Sequence, residues 1–373
     1  MARGWLISMV TAIRFCQTLR SWLLWNGFRW VSDNAGATQL AKKTVRATEQ
    51  ERRLLLSRLE SDRPDWDVLR LRADALAKWE KRSEGAGQIS GMLRMAETDP
   101  RVAADPDDFD TNPWLLSLPN GTVELDSGRF RENRAEELIT KISGVEYQPN
   151  AHCPRWERFL GEVFQPHPEI IPFIQRAVGY TLTGMYGRTV SSCWWAPGAM
   201  GKSTFLRVLH RLLGDYGGVA EIDAFLATRG GAMREDIADM RGRRFVSAQE
   251  PVMNGTFSEA TLKWVSGGDR LRARRLYEHA QEFQPTHKLW FSVNRLPKIA
   301  FDDPAAWSRL RAIPFDVSFH NRENPQLTFE LQDELSGILN WAISGCLTWQ
   351  QTGLVSAASM EEVKEISRRR RSG

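Results

Sequence analysis

Residues 196 to 203, with the sequence APGAMGKS, match all but the first glycine of the pattern G-x-x-x-x-G-K-[ST], which is typical of loops that bind nucleotide phosphates. In that pattern the backbone N–H groups surround the phosphates, the lysine reaches the β- and γ-phosphates, and the hydroxyl group ligates Mg²⁺. Ala196 stands in the first glycine position, where the added methyl group costs little at a negative φ. We therefore predict a site for ATP and Mg²⁺, with Lys202 on the phosphates and Ser203 on the metal. The residues of this site are Ala196, Pro197, Gly198, Ala199, Met200, Gly201, Lys202, Ser203 and Thr204.

Two polar residues downstream each end an apolar stretch, and their types suit ATP hydrolysis. Glu250 ends RGRRFVSAQE, where a carboxylate can polarise the attacking water, hold Mg²⁺ through a water, or do both. Asn294 ends KLWFSVN, where an amide can hold the lytic water or contact the γ-phosphate. Taken singly, Glu250 could equally be a surface residue and Asn294 the cap of a turn.

A strand before the phosphate loop and a helix after it must position these groups. RTVSSCWW fits the strand and KSTFLRVLHRLLG fits the helix, and a chance match to the phosphate pattern is the alternative. The same strand–loop–helix texture recurs downstream, which predicts an α/β fold with a parallel sheet.

Helices are predicted for most of the remaining chain. Residues 1 to about 100 are predicted to be mainly helical, with MARGWLISMVTAIRF as a core helix, whereas WLLSLPNGTVELDSGRF predicts a β-meander. Further helices are predicted from Pro154, over PEIIPFIQRAVGYTLTG, and through the last fifty residues. These end in the basic tail SRRRRSG, which we interpret as solvated chain.

The composition is that of a globular protein with two or three domains. Of 373 residues, 42% are hydrophobic and 26% charged, and the net charge of +4 permits a polyanionic partner. Neither the four cysteines nor the six histidines show metal-site spacing. Because no run of about 18 apolar residues occurs, we expect a cytoplasmic protein with no membrane partner.

The order and spacing of these segments resemble the ATPase core of superfamily III helicases. The resemblance rests on APGAMGKSTFLRVLHRLLGDY, MRGRRFVSAQE, LKWVSGGDRLRARRLYEHAQEFQPTHKLWFSVNRLPKI and WSRLRAIPF. It is closest to the phage and plasmid branch found behind primase domains, which is related to the poxvirus helicase-primase. Upstream, WEKRSEGAGQISGMLRMA, WLLSLPNGTVEL and HCPRWERFLGEVF resemble the N-terminal helicase module of that branch.

This resemblance implies an AAA+-like P-loop core with a central parallel sheet, working as a homo-hexameric ring on DNA. A mainly helical α+β module would precede the core. The implied segments are the N-terminal module over 1–150 with its meander near 114–130, a helical collar or linker over 151–184, the ATPase core over 185–320, and a helical C-terminal segment over 321–373.

The resemblance also assigns roles to individual residues. Gly198, Gly201, Lys202 and Ser203 match the phosphate loop, Glu250 the catalytic acid and Asn294 the sensor. Arg309, in WSRLRAIPF, matches the arginine finger that reaches the γ-phosphate of a neighbouring subunit, and a surface ion pair is the alternative.

A basic stretch between Lys263 and Phe283 is the predicted DNA-binding segment. Arg270, Arg272 and Arg274 alternate at the period of a strand, so their side chains would share one face. The family places a pore-facing β-hairpin here, and a solvated charged hairpin is the alternative. The predicted DNA-binding residues are Lys263, Arg270, Arg272, Arg274, Tyr277 and His279.

The sequence therefore predicts an ATP-dependent DNA helicase of phage- or plasmid-type replication, acting on single-stranded and fork DNA. The resemblance to the phage and plasmid branch implies that it works in the cytoplasm of a bacterial host cell. Ala196 and Met200 depart from the family's usual glycine and asparagine. No polymerase-primase domain is recognised before the module, so a separate primase or polymerase partner is expected. The alternatives are a nucleotide-gated DNA-binding or loading ring, a P-loop kinase or signalling ATPase, and an inactive relic.

Overall fold

The computed structural model describes ten segments of the chain and places them in two compact units. The segments are 12–57, 65–186, 191–195, 201–226, 235–250, 256–274, 280–293, 298–299, 310–319 and 324–362, with only the backbone described at 48, 51, 191–195, 250, 298 and 299. The first unit comprises Met1–Thr111 and Arg134–Thr140, and the second comprises Asn112–Asn133 and Lys141–Gly373.

In its described segments, the first unit combines a four-stranded sheet with three α-helices. Its strands are β1 (Ile13–Cys16), β2 (Ser21–Trp25), β3 (Trp30–Ser32) and β4 (Ala103–Ala104), in the order β3-β2-β1-β4. Its helices are α1 (Asn34–Leu56), α2 (Trp66–Ser83) and α3 (Ala86–Ala96). Helix α1 begins after Asp33, whose carboxylate accepts a hydrogen bond from the Gly36 N–H at 2.7 Å.

The predicted N-terminal core helix is wrong where the structure describes it. Residues 13–16 form β1, which pairs antiparallel with β2, while residues 1–11 lie outside the described segments. Phe15 lies directly opposite Trp22, and their rings pack with centroids 4.9 Å apart. This cross-strand aromatic pair stabilises a hairpin that a short apolar run cannot distinguish from a helix.

The predicted β-meander is confirmed and lies in the second unit, although the predicted division at 150 placed it in the N-terminal module. Its antiparallel strands are β5 (Leu115–Leu118), β6 (Gly121–Glu124) and β7 (Arg129–Arg131).

Helices of the second unit confirm the predictions around Pro154 and near the C-terminus. In a numbering that follows the chain, they are α4 (Pro154–Val163), α5 (Ile170–Leu182), α9 (Leu327–Asp333) and α10 (Leu335–Thr352). Helices α5 and α10 approach closely through Gly179 and Gly345. A Cβ atom at Gly179 would lie 2.1 Å from the backbone nitrogen of Cys346, so no larger residue fits.

A five-stranded sheet forms the centre of the second unit, and every neighbouring pair in it is parallel. In the order β16-β8-β14-β10-β9, its strands are Leu310–Pro314, Ser191–Trp195, Lys288–Val293, Phe245–Glu250 and Gly217–Val219. All six residues of β14 are buried, as expected for an inner strand covered on both faces. The associated helices are α6 (Lys202–Leu213), α7 (Glu235–Asp239) and α8 (Glu259–Ser266). The predicted mixed α/β class is therefore confirmed.

The described segments also contain two sheets of two strands each. Strand β11 (Thr256–Phe257) is parallel to β15 (Lys298–Ile299), and β12 (Leu271–Ala273) forms a hairpin with β13 (Gln281–Phe283). No helix within the described segments is long and apolar enough to cross a membrane.

Candidate functional site

Three parallel strands end in one row at the carboxyl edge of the central sheet. Val293, the last residue of β14, pairs with Glu250 of β10 on one side and with Trp195 of β8 on the other. Neighbouring strands lie about 4.8 Å apart, so the Cα atoms of Glu250 and Trp195 are separated by roughly 10 Å. Ligands of open parallel sheets bind outside this edge. The predicted phosphate loop and the predicted acid therefore leave the sheet at the same place.

Helix α6 starts at this edge, and Gly201 is the residue that allows it to start there. Gly201 adopts a left-handed conformation with a φ of 79°. A Cβ atom at this position would lie 3.2 Å from both Phe159 Cε2 and Val163 Cγ2. Glycine is required because a side chain would be both strained and crowded. The first N–H groups of a helix have no intrahelical acceptor, so this end of α6 can bind an anion.

Lys202 extends from the first turn of α6 to the end of β14. Its side chain is only 6% exposed, and Nζ donates a hydrogen bond to the Val293 carbonyl oxygen at 3.0 Å. A buried ammonium group at the N-terminus of a helix makes this edge of the sheet electropositive. Ser203, the next residue, is exposed on the first turn of the helix. The arrangement suits a negatively charged ligand.

The structure brings together part of the predicted nucleotide site. Gly201, Lys202, Ser203 and Thr204 form the start of α6, and the backbone of Glu250 ends β10 beside Val293. The remaining residues of the predicted site lie outside the described segments, and their roles stay predictions, as does the role of the Glu250 side chain. They are Ala196, Pro197, Gly198, Ala199, Met200, Asn294 and Arg309.

The predicted basic segment forms a hairpin, in which Arg272 is exposed between the buried residues Leu271 and Ala273. Arg272 lies opposite Glu282 of β13, and the Arg270 guanidinium donates to the Glu282 carbonyl oxygen at 3.3 Å. Arg274 is exposed immediately after β12. The structure thus brings these three arginines to one hairpin, while Tyr277 and His279 lie outside the described segments.

Lys263 differs from the other predicted DNA-binding residues in its surroundings. It lies on α8, where its ammonium group forms an ion pair with Glu259 one turn earlier. A cation already paired with a carboxylate has less positive potential to offer a phosphate. Its assignment to DNA stays a prediction.

Two buried cations at the amino edge of the sheet were not predicted. Arg244, just before β10, donates to the Leu182 carbonyl oxygen at 2.6 Å and to the Leu115 carbonyl oxygen at 2.7 Å. Lys288, the first residue of β14, donates to the Thr183 carbonyl oxygen at 2.5 Å, and burial lowers its pKa. Both cations satisfy carbonyl groups at the C-terminal end of α5. The only sequence signal is a basic residue at the start of an apolar strand.

Two histidine side chains also pack against this sheet, His287 fully buried and His210 half-buried. His287 donates from Nε2 to the Val265 carbonyl oxygen at 3.2 Å, and burial lowers its pKa to about 4. His210 on α6 forms a hydrogen bond with the Ser247 hydroxyl group at 2.8 Å, and burial lowers the pKa of this histidine as well. Both side chains are therefore neutral at pH 7 and act as packing and hydrogen-bonding groups.

Two family models match the sequence. One, described as "D5 N terminal like", matches residues 5 to 165, and the other, described as "Family of unknown function (DUF5906)", matches residues 196 to 309. The second match begins at Ala196 and ends at Arg309, so it runs from the predicted phosphate loop to the predicted arginine finger.

The sequence is also similar to viral proteins. It is 27% identical over 227 residues to a protein named "Putative helicase" from Acanthamoeba polyphaga mimivirus, covering 58% of this chain and 24% of that protein. It is 25% identical over 256 residues to a protein named "Putative primase" from African swine fever virus, covering 65% of this chain and 26% of that protein. The chain spans about a quarter of the length of these two relatives.

Among solved structures, the fold is similar to the apo structure of the NrS-1 C terminal region. The TM-score is 0.56 at 10% sequence identity, over 98% of this chain and 74% of that chain. At this identity the likeness shows a shared fold.

Proposed function

We propose that the chain belongs to the primase–helicase family of phages and viruses and that it is an ATP-dependent DNA helicase of phage- or plasmid-type replication. The observation that carries this proposal is the position of Lys202. Its ammonium group lies at the start of α6 and contacts the end of β14, in the row of strand ends that includes Glu250. In P-loop ATPases a lysine and a helix N-terminus bind the phosphates, and a carboxylate at the end of a neighbouring strand serves Mg²⁺ or the attacking water.

The residues of the proposed ATP site divide phosphate binding and water activation between them. The loop at 196–200 and the N–H groups of α6 bind the phosphates, and Lys202 moves from the Val293 carbonyl oxygen to the β- and γ-phosphates. Glu250 polarises the attacking water, and Asn294 holds that water or contacts the γ-phosphate. Asn294 directly follows Val293, which pairs with Glu250, so the two polar residues leave adjacent strands.

Oxygen groups at this edge suit Mg²⁺, which prefers hydroxyl, carboxylate and water ligands. Ser203 would ligate the ion through its hydroxyl group, and Glu250 would hold it through water. When bound, Mg²⁺ neutralises charge that develops on the phosphates.

Arg309 is proposed to act on a neighbouring subunit of a homo-hexameric ring. Leu310, the next residue, pairs with Ser191 at the amino end of β8, whereas the phosphate loop follows Trp195 at the carboxyl end. Four residues of strand separate these ends by about 13 Å. Strand β16 thus begins at the edge of the sheet opposite the phosphate loop, and a partner's γ-phosphate is the proposed target of Arg309.

The β12–β13 hairpin is the proposed contact with single-stranded DNA. Arg272 and Arg274 are exposed on it and offer cations to the phosphate backbone. ATP hydrolysis at the subunit interfaces would move these hairpins along one strand at a replication fork. Priming would come from a primase or polymerase that works with the ring.

The first test is ATP hydrolysis by the purified protein with and without single-stranded DNA. We expect DNA to raise turnover, and Lys202→Ala to abolish it because the phosphates lose their cation. Lys78→Ala, which removes an exposed lysine of α2, is the matched control and should keep full turnover. Turnover at background in both the wild-type protein and Lys202→Ala would refute the proposed motor.

A nucleotide-gated DNA-binding ring is the second candidate. It is favoured by the hydrogen bond from Lys202 to Val293, because nucleotide binding alone must break this contact and can shift β14 without hydrolysis. ATP-dependent DNA binding without turnover would identify this function.

A further inference from the structure

The first unit contains a cavity of about 600 Å³ that has no role in the ATP site. It lies between the β1–β2 turn, the first turns of α1, and α3. Phe15, Trp22 and Leu93 supply apolar walls, and the first two are packed ring against ring. The volume lies within the range of about 300–1,000 Å³ that small-molecule sites occupy.

Two arginines give this cavity a positive charge. Arg20 lines it from the β1–β2 turn and Arg94 from α3, and both residues are exposed. Within the segments that the structure describes, neither guanidinium group is paired with a carboxylate. Glu97 is the acidic residue of the lining, so the two arginines and one glutamate leave a net charge of +1. Guanidinium groups bind phosphate through paired N–H donors.

Arg20 adopts a backbone conformation that arginine rarely takes. Its φ is 48°, in the left-handed region, where a residue with a Cβ atom is less stable by about 1–2 kcal/mol. Glycine or asparagine would adopt this conformation at lower cost. Backbone strain is often found at residues that bind ligands, and here the strained residue is a charged one that lines a cavity.

Polar groups beside the arginines can form hydrogen bonds with a ligand. The Asn34 Oδ1 atom accepts the Trp22 backbone N–H at 2.9 Å, which fixes the amide and leaves its NH₂ group as a donor at the cavity. Gln17 and Glu97 add acceptors to the same lining. The cavity therefore combines phosphate-binding cations, apolar walls for a base or sugar, and acceptors for an exocyclic amino group.

We propose that this cavity binds a phosphorylated nucleoside, either as a free nucleotide or as one unit of a DNA single strand. The site is separate from the proposed ATP site at α6 and does not depend on it. Arg20 and Arg94 hold the phosphate, the apolar walls contact the base or sugar, and Asn34 donates to the ligand.

The test uses the 373-residue chain carrying Lys202→Ala, a substitution that we expect to abolish phosphate binding at α6. Arg20→Asn and Arg94→Gln are added singly, and binding is measured with two fluorescent probes, adenosine monophosphate and a short oligothymidylate. Arg82→Gln, an exposed arginine in the last turn of α2 that does not line the cavity, is the matched control. Arg20→Asn should fold at least as well as its parent, because asparagine tolerates the left-handed turn.

We expect each cavity variant to weaken binding about five- to tenfold, as for the loss of one charge-assisted hydrogen-bonded contact. For the oligonucleotide, the slope of log affinity against log salt should fall by about 0.7. Loss with both probes identifies a free nucleotide as the ligand, and loss with the oligonucleotide alone identifies a strand. Unchanged affinity in both variants, or an equal loss in Arg82→Gln, would overturn the proposal. If the wild-type protein shows only background ATP turnover and the cavity variants still weaken binding, the helicase is refuted and this site stands.

Discussion

Replacing Arg244 with methionine should destabilise the second unit strongly. Arg244 is only 5% exposed, and its guanidinium group donates to two carbonyl groups and lies 4.3 Å from the centre of the Tyr216 ring. Hydrogen bonds from charged donors contribute about 1.5–3 kcal/mol each, and the variant leaves the carbonyl groups of Leu182 and Leu115 without these donors. We therefore expect a loss of about 3–5 kcal/mol, a large part of a typical stability of about 5–15 kcal/mol.

Urea unfolding monitored by circular dichroism measures this loss. The midpoint should fall markedly in Arg244→Met, while the slope stays unchanged. Arg244→Lys should lose nearly as much, because a lysine cannot span both carbonyl groups with a planar fork. Arg129→Met, at an exposed position of β7, is the control and should stay within about 0.5 kcal/mol of the wild-type protein. If Arg244→Met lowers the free energy of unfolding by less than about 1 kcal/mol, the hydrogen bonds from Arg244 to Leu182 and Leu115 do not stabilise the unit as proposed.

Three further predictions follow from the same structure. The folded-state pKa of His287, about 4, lies below its ordinary value of 6.5, so the unfolded chain binds the proton first as pH falls. The free energy of unfolding should thus be fully retained above pH 6.5 and fall by about 3 kcal/mol towards pH 4, and a His287→Gln variant that titrates identically would contradict this. Gly201→Ala should weaken ATP binding at least tenfold in a fluorescent-nucleotide titration, because a φ of 79° is strained for alanine and its Cβ atom would lie only 3.2 Å from Phe159 and Val163. Arg274→Gln should lower the salt slope of single-strand binding by about 0.7, and an unchanged slope would remove Arg274 from the DNA contact.

Local sequence patterns predicted the elements around the candidate site well. KLWFSV has five apolar or small residues after its first lysine, and it forms the fully buried strand β14. The helix after Gly201 has apolar residues at helical spacing, and Phe205, Leu206 and Leu209 are buried as that spacing predicts. These features depend on neighbours within one turn or one strand.

Features that depend on distant partners were not predictable. The strands around Phe15 and Trp22 fell in a region that was predicted to be mainly helical. The prediction failed because the stability of these strands comes from pairing with each other. The row that places Val293 between Glu250 and Trp195 is set by strand register, which single strands do not encode. Arginine side chains are usually exposed, so the sequence does not indicate that Arg244 is buried. Its partner Leu182 is 62 residues away, so its burial follows only from the tertiary fold.

Strand displacement tests the central claim most directly. A forked duplex with one labelled strand is mixed with the wild-type protein, with Lys202→Ala, and with wild-type protein lacking ATP. The proposed motor predicts release of the labelled strand by the wild-type protein with ATP, and no release in the other two reactions. If the wild-type protein binds the fork and ATP but releases no strand, the claim that this chain is a helicase is contradicted.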